Sequence, residues 1–380
     1  MRKPLLVLAA AASAAAASAT SWWQVRTLGH QQSPVVTEHE PVPRIPGTQQ
    51  VVLVVNPAKS GAGTSRKLVE RACANAGCQP PLVLETTRAD PGTGQGLRAL
   101  ASGADVVIAA GGDGTVRAVA EALAHSTAAL GVIPLGTGNL LARNLRLPYQ
   151  DLAACVQTAM HGAERIIDVG RVEFDDGVGA LPDSRVFLVM GGIGLDAEVV
   201  AATRDGLKRT FGWLAYGEAG MRTLPGRRQR MSISLDAGAP QARKVRSILF
   251  ANCGRLPAGI DFIPGSTLDD GYLDIVVISP RSLLGWLWVA AKVLLRNSRP
   301  IPVIRFYRVR EARISVAQRI PTQLDGDPSG SFTSLTVRVD AAALRVRVPE
   351  ATAPGPTALP GNFSNKRPPP SSREPADGGP

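Results

Sequence analysis

The chain has 380 residues, with 42 Lys and Arg against 31 Asp and Glu, a formal charge of +11 and a pI near 10.1. Its length suits about two domains, and its 44% apolar content is enough for a sizeable core. The positive balance favours anionic partners such as nucleotide phosphates or an acidic membrane surface, while aromatics at 4% are too sparse for a base-stacking surface, so no nucleic acid is expected.

Residues 1–30 read as an apolar leader or membrane-associated segment. Arg2-Lys3 precede an Ala-rich run from Pro4 to Ala19, which ends in Ala17-Ser18-Ala19 like a secretory cleavage site. The run is just short of the ~20 apolar residues of a membrane span, and Trp22-Trp23 suit a membrane interface. Residues 31–49 hold Pro34, Pro41, Pro43, Pro46 and Gly47 and read as a linker. Residues 351–380 are rich in Pro, Ser and Gly without apolar periodicity and are expected to be disordered.

Between them, residues 50–164 alternate strands and helices. Val51–Val55 is a continuous β-branched run of the kind buried on both faces. A loop from Asn56 to Gly63 leads to a helix over 65–75, then strand 81–85, helix 97–102, strand 105–110, helix 116–124 and strand 130–134. This alternation predicts a doubly wound parallel α/β domain. Residues 165–350 change character, with strands expected at 166–172, 185–190, 231–235, 245–252, 273–278, 312–316 and 335–339. They predict an antiparallel β-sandwich domain, interrupted by helical inserts at 209–224 and 283–295. The second insert is apolar nearly all round with basic flanks, which suits either a membrane surface or ordinary core packing.

Chemistry concentrates in loops that follow strands. Gly111-Gly112-Asp113-Gly114-Thr115 sits between a strand and a helix, where glycines let the backbone approach phosphate and the helix N–H groups favour negative charge. Asn56 to Gly63 and Pro134-Leu135-Gly136-Thr137-Gly138-Asn139 follow two other strands, so three such loops collect at the C-terminal edge of one sheet. One Gly-rich turn is weak evidence, and three together point to nucleotide binding. The four cysteines form no CxxC pair and the four histidines lie in unrelated contexts, so a zinc site, a disulfide framework and a Ser-His-Asp mechanism lack support.

Asn56-Pro57 with Gly61-Ala62-Gly63, Gly111 to Thr115, Gly136-Thr137-Gly138-Asn139, Leu268-Asp269-Asp270-Gly271-Tyr272 and Leu324-Asp325-Gly326-Asp327 occur in one order across 50–350. In that combination the chain resembles the diacylglycerol kinase catalytic-domain family, which includes bacterial lipid kinases and sphingosine kinases. The resemblance implies an ATP-dependent lipid kinase that transfers the γ-phosphate to the hydroxyl of a diacylglycerol- or sphingoid-like alcohol. It implies ATP contacts at Asn56, Pro57, Ala58, Lys59 and Ser60, at Gly111, Gly112, Asp113, Gly114, Thr115, Val116 and Arg117, and at Thr137, with Thr87 matched after the second strand. It places the general base at Asp325, with Asp113, Asp168 and Asp327 in support. It also implies Mg²⁺ as cofactor, held at the Leu268–Tyr272 turn by the Asp270 carboxylate and the backbone carbonyls of Thr267 and Tyr272. Leu140 departs from the pattern, because bacterial members often carry Asp there.

The residues suit that chemistry. A lipid hydroxyl becomes a competent nucleophile when a base takes its proton, and phosphoryl transfer otherwise needs positioning and charge neutralisation, for which Lys59 and Arg117 are available. Asp325-Gly326 is equally a favoured hairpin turn, and that reading stays open here. So do an NAD kinase-like nucleotide kinase and a catalytically weak lipid-binding pseudokinase. An ATP-using enzyme belongs in the cytoplasm, peripheral to or N-terminally anchored at the membrane. Its expected partners are a lipid alcohol and an anionic membrane surface, and a homodimer is compatible with the sequence.

Overall fold

Five consecutive residues, Val51–Val55 (β1), are buried on both faces, and the chain builds outward from this strand. It continues through α1 (Ala62–Asn75), β2 (Leu82–Glu85), α2 (Thr93–Ala101), β3 (Val106–Gly111), α3 (Asp113–Leu123), β4 (Ala129–Pro134), α4 (Leu140–Asn144) and α5 (Leu152–His161). The computed structural model describes residues 49–175, 183–194, 228–256, 260–261, 263, 265–280, 285, 288 and 301–350. All of them belong to one unit spanning Arg44–Pro380.

The four strands run parallel in the order β2-β1-β3-β4. Val51, Leu53 and Val55 pack with Val69, Ala72 and Cys73 of α1 and with Ala159 and Met160 of α5. Val52 and Val54 face the other way, toward Ala99 of α2 and Val116, Val119 and Leu123 of α3. Period-two alternation along β1 therefore serves two helical layers, and the sheet is doubly wound as expected. The sequence reading lacked α4 and α5, although Asp151 caps α5 by accepting the N–H groups of Ala153 and Ala154 at 2.9 and 3.0 Å.

The second half is antiparallel. Its main strands are β5 (Ala163–Asp175), β6 (Asp183–Phe187), β7 (Met190–Gly194), β8 (Gln229–Leu235), β9 (Gln241–Val245) and β10 (Ser247–Ala251). A short pair follows, β11 (Arg255–Leu256) with β12 (Ile260–Asp261), and then β13 (Leu273–Ile278), β14 (Ile304–Val309), β15 (Glu311–Leu324) and β16 (Asp327–Val348). β15 joins two layers. Its Ala312–Val316 stretch pairs with β8, while Thr322–Leu324 pairs with β7, and the register against β16 shifts between Ser315 and Ile320. Such a shift bends a strand so that it can serve both sheets of a sandwich. Phe187, Phe250, Met231, Ile275 and Val337 fill the core between the layers.

Several strand expectations change in detail. The stretch 185–190 divides into β6 and β7 at Leu188-Val189, and 245–252 divides into β9 and β10 at Arg246. The short strands expected at 312–316 and 335–339 are parts of 14- and 22-residue strands, and β14 is an additional edge strand. β16 also pairs in parallel with β4 at Val346↔Leu130, so one sheet continues from the α/β layer into the sandwich.

The leader, residues 31–48 of the linker, the tail and the insert at 209–224 lie outside the described residues. Of the insert at 283–295, Gly285 and Trp288 are described. Both are helical, and Trp288 is 49% exposed. No helix among the described residues is long and apolar enough to cross a membrane.

Candidate active site

The loops after β1, β3 and β4 meet at the C-terminal edge of the parallel sheet. Asn56 is tied to β3 by donating its N–H to Ala110 O at 2.9 Å, and its Oδ1 accepts the Ala58 N–H at 3.1 Å, which turns the loop. Asn56 Nδ2 reaches Thr115 Oγ1 at 3.5 Å. A Cβ on Gly136 would lie 2.9 Å from Gly112 Cα, so the loops after β3 and β4 approach this closely because Gly136 has no side chain. A Cβ on Gly112 would lie 3.7 Å from Lys59 Nζ, which brings the cation of the loop after β1 to the same place. Gly112 offers α3 no capping side chain, and a helix N-terminus of this kind favours phosphate. Pro57, Ala58, Lys59, Ser60, Thr87 and Thr137 are exposed around this edge. Thr86 is buried, whereas Thr87 Oγ1 accepts the Asp90 N–H at 3.0 Å in the loop after β2.

Asp113 organises the third loop. Its carboxylate accepts the N–H of Asn139 at 2.9 Å and of Leu140 at 2.6 Å, and so caps the short helix α4. Asn139, in the left-handed region at φ 48°, closes the loop by bonding both the N–H and the C=O of Gly136 at 2.9 Å. Leu140 thus gives Asp113 its backbone N–H, and its side chain packs against the apolar core. Burial pushes the Asp113 carboxyl above its ordinary value, the two N–H donors pull it back, and the nearby Asp327 carboxylate raises it further. Arg143, which the sequence reading did not single out, braces the same loop through Nε to Gly138 O at 2.8 Å.

The β15–β16 hairpin brings two more carboxylates. Asp325 and Gly326 have φ of 48° and 83°, and Leu324 pairs with Asp327, so this is a two-residue turn of the I′ kind. The turn reading holds for this segment. Asp325 is only 5% exposed. Its Oδ2 accepts the Leu188 N–H at 2.8 Å, and its Oδ1 accepts those of Val189 and Met190 at 2.9 and 3.0 Å. Burial, outweighing Arg117 and these three donors, pushes its carboxyl up to about 6. Asp327 faces the other way. A Cβ on Gly114 would lie 2.8 Å from Asp327 Oδ2, the side chain is 35% exposed, and Arg117 Nη2 stands 3.4 Å from the same oxygen. The more exposed carboxylate is therefore the one pressed against the phosphate loop.

Asp168 lies away from these groups in its bonding. It is buried and accepts the Ala342 and Gly271 N–H groups, each at 2.7 Å, so it ties the 268–272 turn to β16. Burial raises its carboxyl above the ordinary value against the pull of both donors.

Thr267, Asp270 and Tyr272 do come together in that turn. Asp270 Oδ1 accepts the Tyr272 N–H at 3.0 Å, and Oδ2 accepts the Thr267 N–H and hydroxyl at 3.4 and 3.2 Å. The Arg308 guanidinium also pairs with Oδ2. Arg308 and Arg310 lie 5.4 and 5.2 Å from the Tyr272 ring centroid. Mg²⁺ takes near-octahedral oxygen donors, and of the set the resemblance implies, the Asp270 carboxylate with the Thr267 and Tyr272 carbonyls, the carboxylate is paired with a guanidinium. No group of three His, Cys, Asp or Glu gathers for a metal among the described residues. A dication in the turn would have to displace the Arg308 guanidinium from Asp270. The melting temperature of nucleotide-free protein is expected to be the same in millimolar Mg²⁺ as in EDTA. A rise with Mg²⁺ that Asp270→Asn abolishes would restore the metal.

Residues 50–172 match the profile of the diacylglycerol kinase catalytic domain, and residues 190–348 match that of the YegS C-terminal NAD kinase beta sandwich-like domain. The two matches together define a diacylglycerol kinase catalytic domain followed by an NAD kinase-like beta sandwich. A Pseudomonas fluorescens protein named "Probable lipid kinase YegS-like" is 32% identical over 258 residues, covering 66% of this chain and 80% of that protein. The diacylglycerol kinase of Bacillus subtilis is 29% identical over 229 residues, covering 60% of this chain and 72% of the relative. A diacylglycerol kinase crystal structure from Bacillus anthracis shares the fold, with a TM-score of 0.60 at 21% identity over 81% of this chain and 99% of that one. The chain belongs to the bacterial diacylglycerol kinase/YegS-like lipid kinase family and, by that membership, to the phosphotransferases.

Proposed function

We propose that the chain transfers the γ-phosphate of ATP to the hydroxyl of a lipid alcohol of the diacylglycerol or sphingoid kind. The observation that carries this reading is the contact of the Asp327 carboxylate with Gly114 of the phosphate loop. The loops Asn56–Ser60 and Gly111–Arg117, with Thr87 and Thr137, hold the nucleotide, and Lys59 neutralises its phosphates. Mg²⁺ arriving with ATP would spread phosphate charge further.

The resemblance puts the base at Asp325, but burial and three backbone donors suit that residue to anchoring the hairpin. We assign proton acceptance to Asp327. The acceptor O–H proton passes to Asp327, the oxygen bonds to the γ-phosphorus, and the bond from that phosphorus to the β–γ bridging oxygen breaks. ADP leaves with the bonding pair.

Labelled ATP incubated with a total lipid extract tests the reading, with Asp327→Asn as control. A chloroform-soluble labelled product from wild type alone is expected. Label appearing in NAD instead would move the chain to a nucleotide kinase activity, and ATP binding without any product would make it a pseudokinase.

A further inference from the structure

Arg117 lies three residues after Gly114 on α3, so both occupy the helix face that meets the β15–β16 hairpin. Its side chain is 19% exposed. A guanidinium carries five N–H donors in a rigid fork. Here Nε is buried and makes no hydrogen bond among the described residues, and Nη2 reaches Asp327 only at 3.4 Å, the long end of the bonding range. Buried polar groups in folded proteins are nearly always paired, and exceptions mark positions that a ligand or water completes. The charged groups acting on this side of α3 are Asp327, Asp325 and Glu121 with Arg117 itself, and around Glu121 also Arg171, Arg185 and Asp183. An arriving phosphate meets two carboxylates here, Asp113 and Asp327, and needs a cation on the hairpin side. Lys59 lies on the loop side, near Gly112, while Arg171 and Arg185 are held by Asp340 and Asp183 at 2.7 and 2.6 Å.

We propose that Arg117 is a nucleotide-responsive catalytic residue: it pairs with Asp327 when the site holds no nucleotide and turns onto the terminal phosphate when ATP binds, freeing Asp327 for the acceptor hydroxyl. The proposal rests on the assignment of Asp327 as base. The guanidinium thereby does two tasks in sequence. It holds the hairpin carboxylate against α3 before binding, and it neutralises the transferring phosphoryl group afterwards. ADP lacks the terminal phosphate and leaves the ion pair in place.

The test uses the full chain and needs no lipid turnover, so it stands apart from the question of which substrate is phosphorylated. Equilibrium binding of a non-hydrolysable ATP analogue and of ADP is measured for wild type, Arg117→Gln and Arg117→Lys. Arg117→Gln is expected to weaken the analogue roughly 10–100-fold while ADP stays within about twofold. Arg117→Lys keeps the charge and guards against a variant that fails to fold. A double-mutant cycle of Arg117→Gln with Asp327→Asn, read by thermal stability, adds a second arm. The two sites are expected to couple without nucleotide and to lose that coupling when saturated with the analogue. Equal losses for both nucleotides, or coupling that the analogue leaves unchanged, would show Arg117 to be a fixed structural partner and overturn the proposal.

Discussion

Asp327→Asn is expected to lower lipid phosphorylation by ~10²–10⁴-fold, the usual contribution of a general base, with ATP binding as tight as wild type or tighter and a melting temperature close to wild type. The expectation follows from exposure and neighbours. The carboxylate is partly open, sits against Gly114, and pairs with Arg117 at 3.4 Å. Partly exposed pairs of that kind are worth roughly 0–1 kcal/mol. Removing the charge should therefore cost catalysis far more than stability. Steady-state kinetics with a lipid acceptor, run beside a thermal melt, check both halves. A stable Asp327→Asn enzyme with near-normal kcat would remove this residue as the base and return the role to Asp325.

Asp325→Ala should show the opposite balance. Three buried N–H groups, of Leu188, Val189 and Met190, would lose their acceptor. Each orphaned donor costs about 1–3 kcal/mol, so a loss of roughly 3 kcal/mol or more is expected even after relief from burying a carboxylate. Alanine also disfavours the left-handed backbone that Asp325 occupies at φ 48°. Urea and thermal melts read the loss directly. Activity should fall only in step with folded protein, and Asp325→Asn, which keeps the volume, should be the milder variant.

The pH dependence carries a sign that tests the same site. The Asp325 carboxyl is pushed up from an ordinary 3.8 to about 6 in the fold, because burial outweighs Arg117 and its donors. Its raised value means that it binds protons more readily folded than unfolded. Its contribution to stability is complete below about 3.8 and is lost as pH rises through about 6. The stability gap between wild type and Asp325→Ala should then be widest in acid and narrow across that window. A gap that widens instead toward neutral pH would show the carboxylate to be stabilised in its ionised form.

Much of the first domain was legible because local chemistry and tertiary environment agree there. β1, β3 and β4 are buried on both faces, and strands of that kind read as continuous apolar runs. The phosphate loops were legible because close backbone approach requires glycine, as at Gly112 and Gly136. α5 carried a visible signal in its Asp151 cap and apolar spacing that the sequence reading passed over. α4 had no comparable local signal, since its capping carboxylate, Asp113, lies 26 residues earlier. β14 was hidden because an edge strand with Arg305 and Arg308 lacks the apolar pattern of a buried one.

The amino-acid sequence by itself determined the doubly wound sheet, the three loops at its edge and the hairpin turn at Asp325-Gly326, since each depends on residue types close together in the chain. Tertiary structure alone divided the work among the carboxylates. Asp325 is sealed by N–H groups 135–137 residues away, Asp327 is left facing Gly114, and Asp168 is taken up by Gly271 and Ala342. Asp270 likewise receives Arg308 from a neighbouring strand. Asp325, Asp327 and Asp270 each adjoin a glycine, and Asp168 sits between Ile167 and Val169, yet none of these local sequences states which carboxylate is sealed and which stays open. What separates them is desolvation and the donors that distant backbone brings, and those exist only once the chain has folded.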